Sequence, residues 1–171
     1  SVTLSGVIDV GFEKRWSGDE FRQTANRNGT SNWTLSGTED LGGGLKANFA
    51  LENGFNSDDG TTGTNGSAFN RQSWVGLSGG FGAVKLGKTD SVFKDVYDLG
   101  VANNLFDSEF TPVKIAYAGV SNFSSRPNNQ IRYETPNLSG FSAGATYSLD
   151  EVANVKNDLT AFNLRYRAGK L

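Results

Sequence analysis

The motif with the most specific chemistry is a phosphate-binding pattern at residues 82–89. The sequence there, GAVKLGKT, fits the GxxxxGK[ST] signature, in which a glycine-rich loop wraps phosphates with its backbone N–H groups. Such a loop must follow a buried strand and open a helix. Here the variable letters Ala-Val-Lys-Leu alternate as a β-strand does, and no apolar run ending in aspartate offers a magnesium ligand. We therefore predict a strand here and no nucleotide site.

Side chains for catalysis or metal binding are scarce elsewhere. The 171 residues include no cysteine and no histidine, which removes thiol nucleophiles, disulfides, the commonest metal ligand and the usual general base. Asp107 with Glu109 could serve acid–base chemistry, and Asp58 with Asp59 could bind calcium, but nothing brings either pair to a defined spacing. We predict no catalytic residues, no metal and no cofactor.

Composition narrows the fold and the partners. The net charge is −2, from 16 basic and 18 acidic residues, so no polybasic surface indicates nucleic acid. Twenty-two glycines, three prolines and 12% aromatic residues favour extended segments with glycine-rich corners. No apolar run reaches the ~20 residues of a membrane-spanning helix, a test that overlooks barrel strands. The absence of methionine fits an exported chain with a processed terminus.

Alternating polarity with a period of two residues recurs along the chain. One face of the opening segment carries Val2, Leu4, Ile8, Val10 and Phe12. Three predicted hairpins join residues 33–38 with 45–51, 69–77 with 83–88, and 130–134 with 141–149. A last strand covers 162–168. We predict an all-β fold with about eight strands.

The connections between these strands differ in length. Tight turns are predicted near 40–44, 78–82 and 136–140, and long loops at 14–29, 53–68 and 89–125. A transmembrane antiparallel up-and-down β-barrel sorts its connections in this way, with short periplasmic turns and long outer loops. Aromatic residues near the strand ends fit the girdles of such a barrel.

A soluble secreted β-sandwich is the alternative that periodicity leaves open. Its role would be binding, for example of carbohydrate stacked on Trp16, Trp33 or Trp74. A barrel should partition into detergent and run heat-modifiably on gels, whereas a sandwich should be soluble without detergent.

Five stretches in fixed order carry a family resemblance. They are VTLSGVIDVG at 2–11, SGTEDLGGGLKA at 36–47, LENGF at 51–55, FNRQSWVGLS at 69–78 and NNQIRYETPNLSGFSAGATY at 128–147. Together they closely resemble the N-terminal half of Gram-negative outer-membrane general porins, especially the β-proteobacterial type. The resemblance spans nearly the whole chain.

The resemblance implies a sixteen-stranded barrel in a homotrimer, embedded in the lipid and lipopolysaccharide of the outer membrane of a Gram-negative bacterium. Its function would be passive transport of ions and small hydrophilic solutes through a water-filled channel. Residues 89–125 stand where the family's third loop folds inward to constrict the pore. About half the strands are present, so residues 1–171 are interpreted as a single, truncated barrel domain.

Charged residues facing such a lumen would set its selectivity. Basic residues on predicted polar faces are Lys46, Arg71, Arg132 and Arg165, with Arg126 at the loop–strand junction. By the resemblance, the loop supplies the opposing acids Asp90, Asp95, Asp98, Asp107 and Glu109. Opposed charges create a transverse field that orients dipolar solutes. The excess of strand arginine predicts an anion preference, which the loop carboxylates could cancel.

Two arguments bear on the direction of these side chains. A one-residue slip in register would turn Arg132 towards lipid, where a charge costs ~2–4 kcal/mol near the midplane, and this favours the inward position. For any single residue the alternative is a solvated charge at the rim without influence on conductance.

Overall fold

Antiparallel strands dominate the computed structural model, which describes residues 1–14, 20–27, 29–62, 67–101, 124–150 and 158–167. The elements are β1 (Val2–Val7), β2 (Val10–Lys14), β3 (Phe21–Ala25), β4 (Asn32–Gly42), β5 (Leu45–Gly54), β6 (Gln72–Gly79), β7 (Gly82–Lys88), α1 (Val92–Val101), β8 (Gln130–Glu134), β9 (Phe141–Ser148) and β10 (Leu159–Tyr166).

Eight of these strands form one sheet in the order β1-β4-β5-β6-β7-β8-β9-β10, with every pair antiparallel. The remaining two, β2 and β3, pair with each other and interrupt the chain between β1 and β4. From β4 onwards each strand pairs with the next strand in the chain. The three predicted hairpins are confirmed, and so is the prediction of about eight strands in an up-and-down arrangement.

The prediction of a continuous loop over residues 14–29 is wrong. Strand β3 lies inside that range and pairs in register with β2, which ends at Lys14. Two cross-strand contacts stabilise the pair: the rings of Phe12 and Phe21 stack at 5.6 Å between centroids, and Arg22 forms an ion pair with Glu13. Because β3 is short and only weakly alternating, its strand character depends on these partners.

The tight turn between β4 and β5 shows why glycine recurs at the corners. Gly43 and Gly44 take φ values of 60° and 80°, in the left-handed region that costs other residues energy. The phosphate-binding pattern at 82–89, by contrast, lies in β7, so the prediction of a strand there is confirmed.

The two faces of the sheet differ sharply in chemistry. Directly opposed pairs such as Leu35–Leu51, Val75–Leu86 and Ala145–Phe162 continue one apolar face across the strands. This face is exposed: Leu4 is 71% and Phe162 85% accessible. The other face carries buried polar residues, among them Gln130, Arg132, Thr146 and Asn163. We call the apolar face outer and the polar face inner.

This distribution inverts that of a water-soluble domain. Among the described residues the only buried hydrophobic side chains are Ala50 and Val92. An exposed apolar band on alternating strand positions suits a hydrocarbon environment. A β-sandwich would instead bury its apolar faces between two packed sheets, so the alternative predicted from periodicity is not favoured.

A single helix, α1, lies within the described part of the long connection at 89–125. Ser91 caps its start, because the N–H of Lys94 donates to Ser91 Oγ at 3.2 Å, and Asp95 in the first turn complements the helix dipole. The N–H of Ser91 donates to the carbonyl of Ser125 at 2.9 Å, joining the two ends of the connection. Within the described ranges, no helix has the length and apolarity to cross a bilayer.

Candidate functional site

The first turn of α1 is fastened to the inner face of the sheet. The N–H of Val92 donates to Thr146 Oγ1 on β9 at 3.2 Å, and the side-chain amide of Asn163 on β10 donates to the Val92 carbonyl at 2.7 Å. Val92 is fully buried. The connection after β7 therefore turns to the polar side of the sheet.

Two further side chains of β8 hold the backbone that leads into α1. Gln130 Nε2 donates to the carbonyl of Thr89 at 2.7 Å, and an Arg132 guanidinium nitrogen donates to the carbonyl of Asp90 at 2.5 Å. Gln130 and Thr89 are both 1% accessible. Because these carbonyls lie away from bulk water, their side-chain partners supply hydrogen bonds that water would otherwise make.

An ion cluster lies where α1 faces β8 and β10. Arg132 contacts Asp95 at 2.8 Å and Glu134 at 2.7 Å, while Arg165 approaches Glu134 at 3.3 Å and Asp95 at 3.7 Å. We call Asp95, Arg132, Glu134 and Arg165 the helix cluster. Burial raises the pKa of Asp95 above its ordinary value of 3.8, although the charge and hydrogen bond of Arg132 oppose the rise.

A second ion cluster lies beside the strand ends that lead into the long connections. Arg126 Nε is 2.6 Å from Asp90 Oδ1, and Arg71 forms an ion pair with Glu52. Gln72 Nε2 donates to the other Glu52 oxygen at 2.6 Å. We call Arg71, Glu52, Arg126 and Asp90 the strand-end cluster. Burial is the main cause that lowers the pKa of Arg126, with Asp90 acting against it.

Between the clusters, β6 and β7 carry an aromatic residue and a lysine in contact. Lys85 Nζ stands 4.7 Å from the centre of the Trp74 ring, a cation–π geometry. Both residues border a depression of ≈ 450 Å³ on the inner face, which is also lined by Ser36, Thr38, Asn48, Ser78 and Glu134. Cross-strand pairing places Lys85 directly opposite Arg132.

The predicted basic residues reach the inner side by different routes. Arg132 and Arg165 lie on the inner face of strands, Arg126 precedes β8, and Arg71 precedes β6 instead of lying within a strand. Lys46 shares the inner face, where pairing sets it opposite Asp40 and Ser78.

The predicted acidic residues divide into three groups. Asp90 and Asp95 contact arginines directly, and Asp98 pairs with Lys94 at 2.6 Å within α1. Asp107 and Glu109 lie outside the described residues.

Several inner-face charges were absent from the predicted set, and three of them lie beside the predicted arginines. Glu52, Glu134 and Lys85 lie at polar positions of alternating strands, so the same periodicity that selected Arg132 could have selected them. Glu134 and Glu52 matter because each neutralises an arginine.

This arrangement places fixed charges on one polar surface of the sheet. No group of three or more acidic, cysteine or histidine side chains among the described residues could hold a metal ion. Most of these charges form ion pairs, and they are aligned on a polar wall. Such a wall attracts, orients or repels ions without changing them chemically.

The family model and the curated relatives that match this chain agree on one protein family. Residues 1–171 match the Gram-negative porin family. Outer membrane porin protein 32 of Delftia acidovorans is 40% identical over 158 residues, covering 88% of this chain and 44% of that protein. Major outer membrane protein P.IB of Neisseria meningitidis is 33% identical, covering 91% of this chain and 46% of that protein. The chain thus spans about half the length of the curated relatives it matches.

Solved structures give the same fold. An anion-selective porin from Comamonas acidovorans superimposes with a TM-score of 0.79 at 34% identity, covering 99% of this chain and 54% of that one. The trimer form of OmpT from Vibrio cholerae matches with a TM-score of 0.58 at 17% identity, covering 88% of this chain and 42% of that one, a likeness of fold alone.

Proposed function

The chain belongs to the Gram-negative porin family, and we propose that it forms about half the wall of a water-filled channel for passive diffusion of ions and small hydrophilic solutes. The observation that carries the proposal is the inversion of the sheet, with apolar side chains exposed on the outer face and charged side chains held on the inner one. An aqueous lumen inside a lipid-embedded barrel accounts for both faces.

The proposed function also includes a location in the outer membrane and assembly into an oligomer. The relatives are outer-membrane proteins of Gram-negative bacteria, so lipid and lipopolysaccharide would surround the outer face. The share of the relatives that this chain covers supports a barrel of sixteen strands, of which eight are described here. A homotrimer is part of the proposal, supported by the trimer form of the similarly folded OmpT.

Residues 89–125 act in this proposal as the loop that narrows the pore. The support is the path of residues 89–92, which four side chains of the inner face hold against the wall. A connection of this length lying inside the channel reduces its free cross-section. The charges at its base then lie close to any solute that passes.

The described inner charges favour anions slightly. The two ion clusters and Lys85 together contain five cations and four carboxylates, an excess of one positive charge. Lys46 lies opposite Asp40 on the inner face, so this pair adds no net charge to the excess. We propose a weak anion preference on this basis, in line with the anion-selective porin of similar structure.

Single-channel recording of the full-length protein in a planar bilayer tests the function. We expect stepwise conductance in groups of three, and in a KCl gradient a reversal potential of the sign that chloride preference gives. If the protein shows the heat-modifiable gel mobility of a folded barrel and yet gives no channels in the bilayer, that result would contradict a diffusion pore. A cation-selective potential that is unchanged in Arg71→Ala would contradict only the anion preference.

A further inference from the structure

Gly144 on β9 is packed tightly against the first residue of α1. It lies on the inner face, paired with Glu134 of β8 and Asn163 of β10. A Cβ placed at Gly144 would stand 2.8 Å from Val92 Cγ1 and 3.2 Å from Asn163 Oδ1. Carbon atoms prefer separations of about 3.5–4.0 Å, so only a bare backbone allows Val92 this position.

Val92 cannot easily yield to such a Cβ. Its side chain is fully buried, and β-branching restricts a helical valine to one strongly preferred rotamer. Both its backbone groups are held, the N–H by Thr146 and the carbonyl by Asn163. Asn163 is also the second residue that the added Cβ would contact too closely. The same side chain therefore restricts the Cβ and holds the Val92 carbonyl.

We propose that Gly144 is a positioning residue whose missing side chain sets how closely α1 lies to the barrel wall, and thereby the free width of the channel at the helix cluster. The inference rests on the proposed function, since width has meaning only for a pore. It concerns one contact between wall and loop, which neither the sequence pattern nor the family match identifies.

The direction of the effect follows from the geometry. The wall behind Gly144 is a hydrogen-bonded strand between β8 and β10, whereas in the proposed channel the other side of the helix faces the lumen. A Cβ would therefore displace α1 inward, by about 1 Å to restore an ordinary carbon–carbon separation. Asp95, one turn further along the helix, would move with it.

The test compares four variants of the full-length protein in planar bilayers. Gly144→Ala should lower the unit conductance by roughly a tenth to a third, as an about 1 Å shift narrows the pore. Val92→Ala, which keeps both backbone hydrogen bonds of the helix, gives the reference conductance for the double variant. The double variant should restore it, because removing both Cγ atoms of Val92 makes room for the new Cβ.

Gly80→Ala is the matched control. A Cβ at Gly80 meets nothing within 4 Å, so it adds the same methyl group away from the helix. Unit conductance is the decisive quantity, because mere destabilisation would reduce the number of channels and leave the conductance of each unchanged. Liposome swelling with sugars of increasing size should show the same order among the variants.

The outcomes separate the two proposals. A wild type without channels overturns the proposed function and this inference with it. A conducting wild type with an unchanged Gly144→Ala conductance, or a reduced one that Val92→Ala does not restore, overturns this inference alone. If Gly144→Ala yields no folded protein, the double variant decides: recovered folding with wild-type conductance supports the proposal, and failure to recover overturns it.

Discussion

The guanidinium of Arg132 lies 2.8 Å from the carboxylate of Asp95, so an ion pair joins a strand of the sheet to the helix inside it. The Arg132 side chain is only 5% accessible and also binds Glu134 and the Asp90 carbonyl. One side chain therefore fixes the loop and carries part of the charge of the inner wall.

Replacing Arg132 should change ion selectivity. Arg132→Gln removes one positive charge and leaves Arg165 as the ion-pair partner that the described residues still give Asp95 and Glu134. We expect the reversal potential in a salt gradient to move towards cations. Arg167→Gln, which removes the same charge at an exposed position beyond β10, is the control. Equal shifts in both variants would show that only net charge matters.

The strand-end cluster should respond to charge changes of either sign. Arg71→Gln leaves Glu52 without its arginine and should favour cations, whereas Glu52→Gln frees Arg71 and should favour anions. Both substitutions keep a polar group of similar size. Shifts of the same sign, or no shift in either variant, would place this pair outside the path of ions.

Acidification should strengthen the anion preference through Asp95. Its pKa is raised by burial above the ordinary 3.8, with Arg132 opposing and Glu134 adding to the rise. As pH falls through that raised pKa, Asp95 loses its negative charge while Arg132 and Arg165 keep their positive charges. The reversal potential should shift towards anions at a higher pH than an ordinary aspartate would cause.

The control for this pH effect is Asp95→Asn. That variant should show the stronger anion preference already at neutral pH, and its profile should be flatter on acidification. An unchanged profile in Asp95→Asn would assign the titration to other carboxylates.

Stability should depend on which face of the sheet receives a charge. Ala145→Arg places an arginine on the outer face and should cost ~2–4 kcal/mol if that position lies near the bilayer midplane, less towards the interface. Ala83→Arg makes the same change on the inner face, directly opposite Glu134, and should cost much less. Urea titration of folding into lipid vesicles measures both. Equal costs would contradict the assignment of the faces.

Much of the sheet could be predicted from the sequence because polar and apolar residues alternate along each strand. This alternation assigns each side chain of a strand to one of the two faces, and it therefore predicts that Arg132 lies on the inner face. The hairpins and glycine turns likewise follow from residues close together in the sequence. The strand β3 was missed since its five residues carry little alternation and depend on the Phe12 and Glu13 contacts.

The partners within the site could not be predicted in the same way. Asp95 and Arg132 are 37 positions apart, and their contact depends on where the loop turns back. Glu134 and Arg165 meet across two intervening pairings, which requires the register of three strands at once. The role of Gly144 is invisible in the sequence, because a glycine in a strand has many possible causes.

The fastening of α1 also has a consequence for the order of assembly. From β4 onwards every strand pairs with its neighbour in the chain, so the sheet can grow by adding one strand at a time. The anchors of Val92 are 54 and 71 residues further along, at Thr146 and Asn163. The helix therefore cannot reach its final position until β9 and β10 have joined the sheet, so the contact between helix and sheet forms only after the sheet itself.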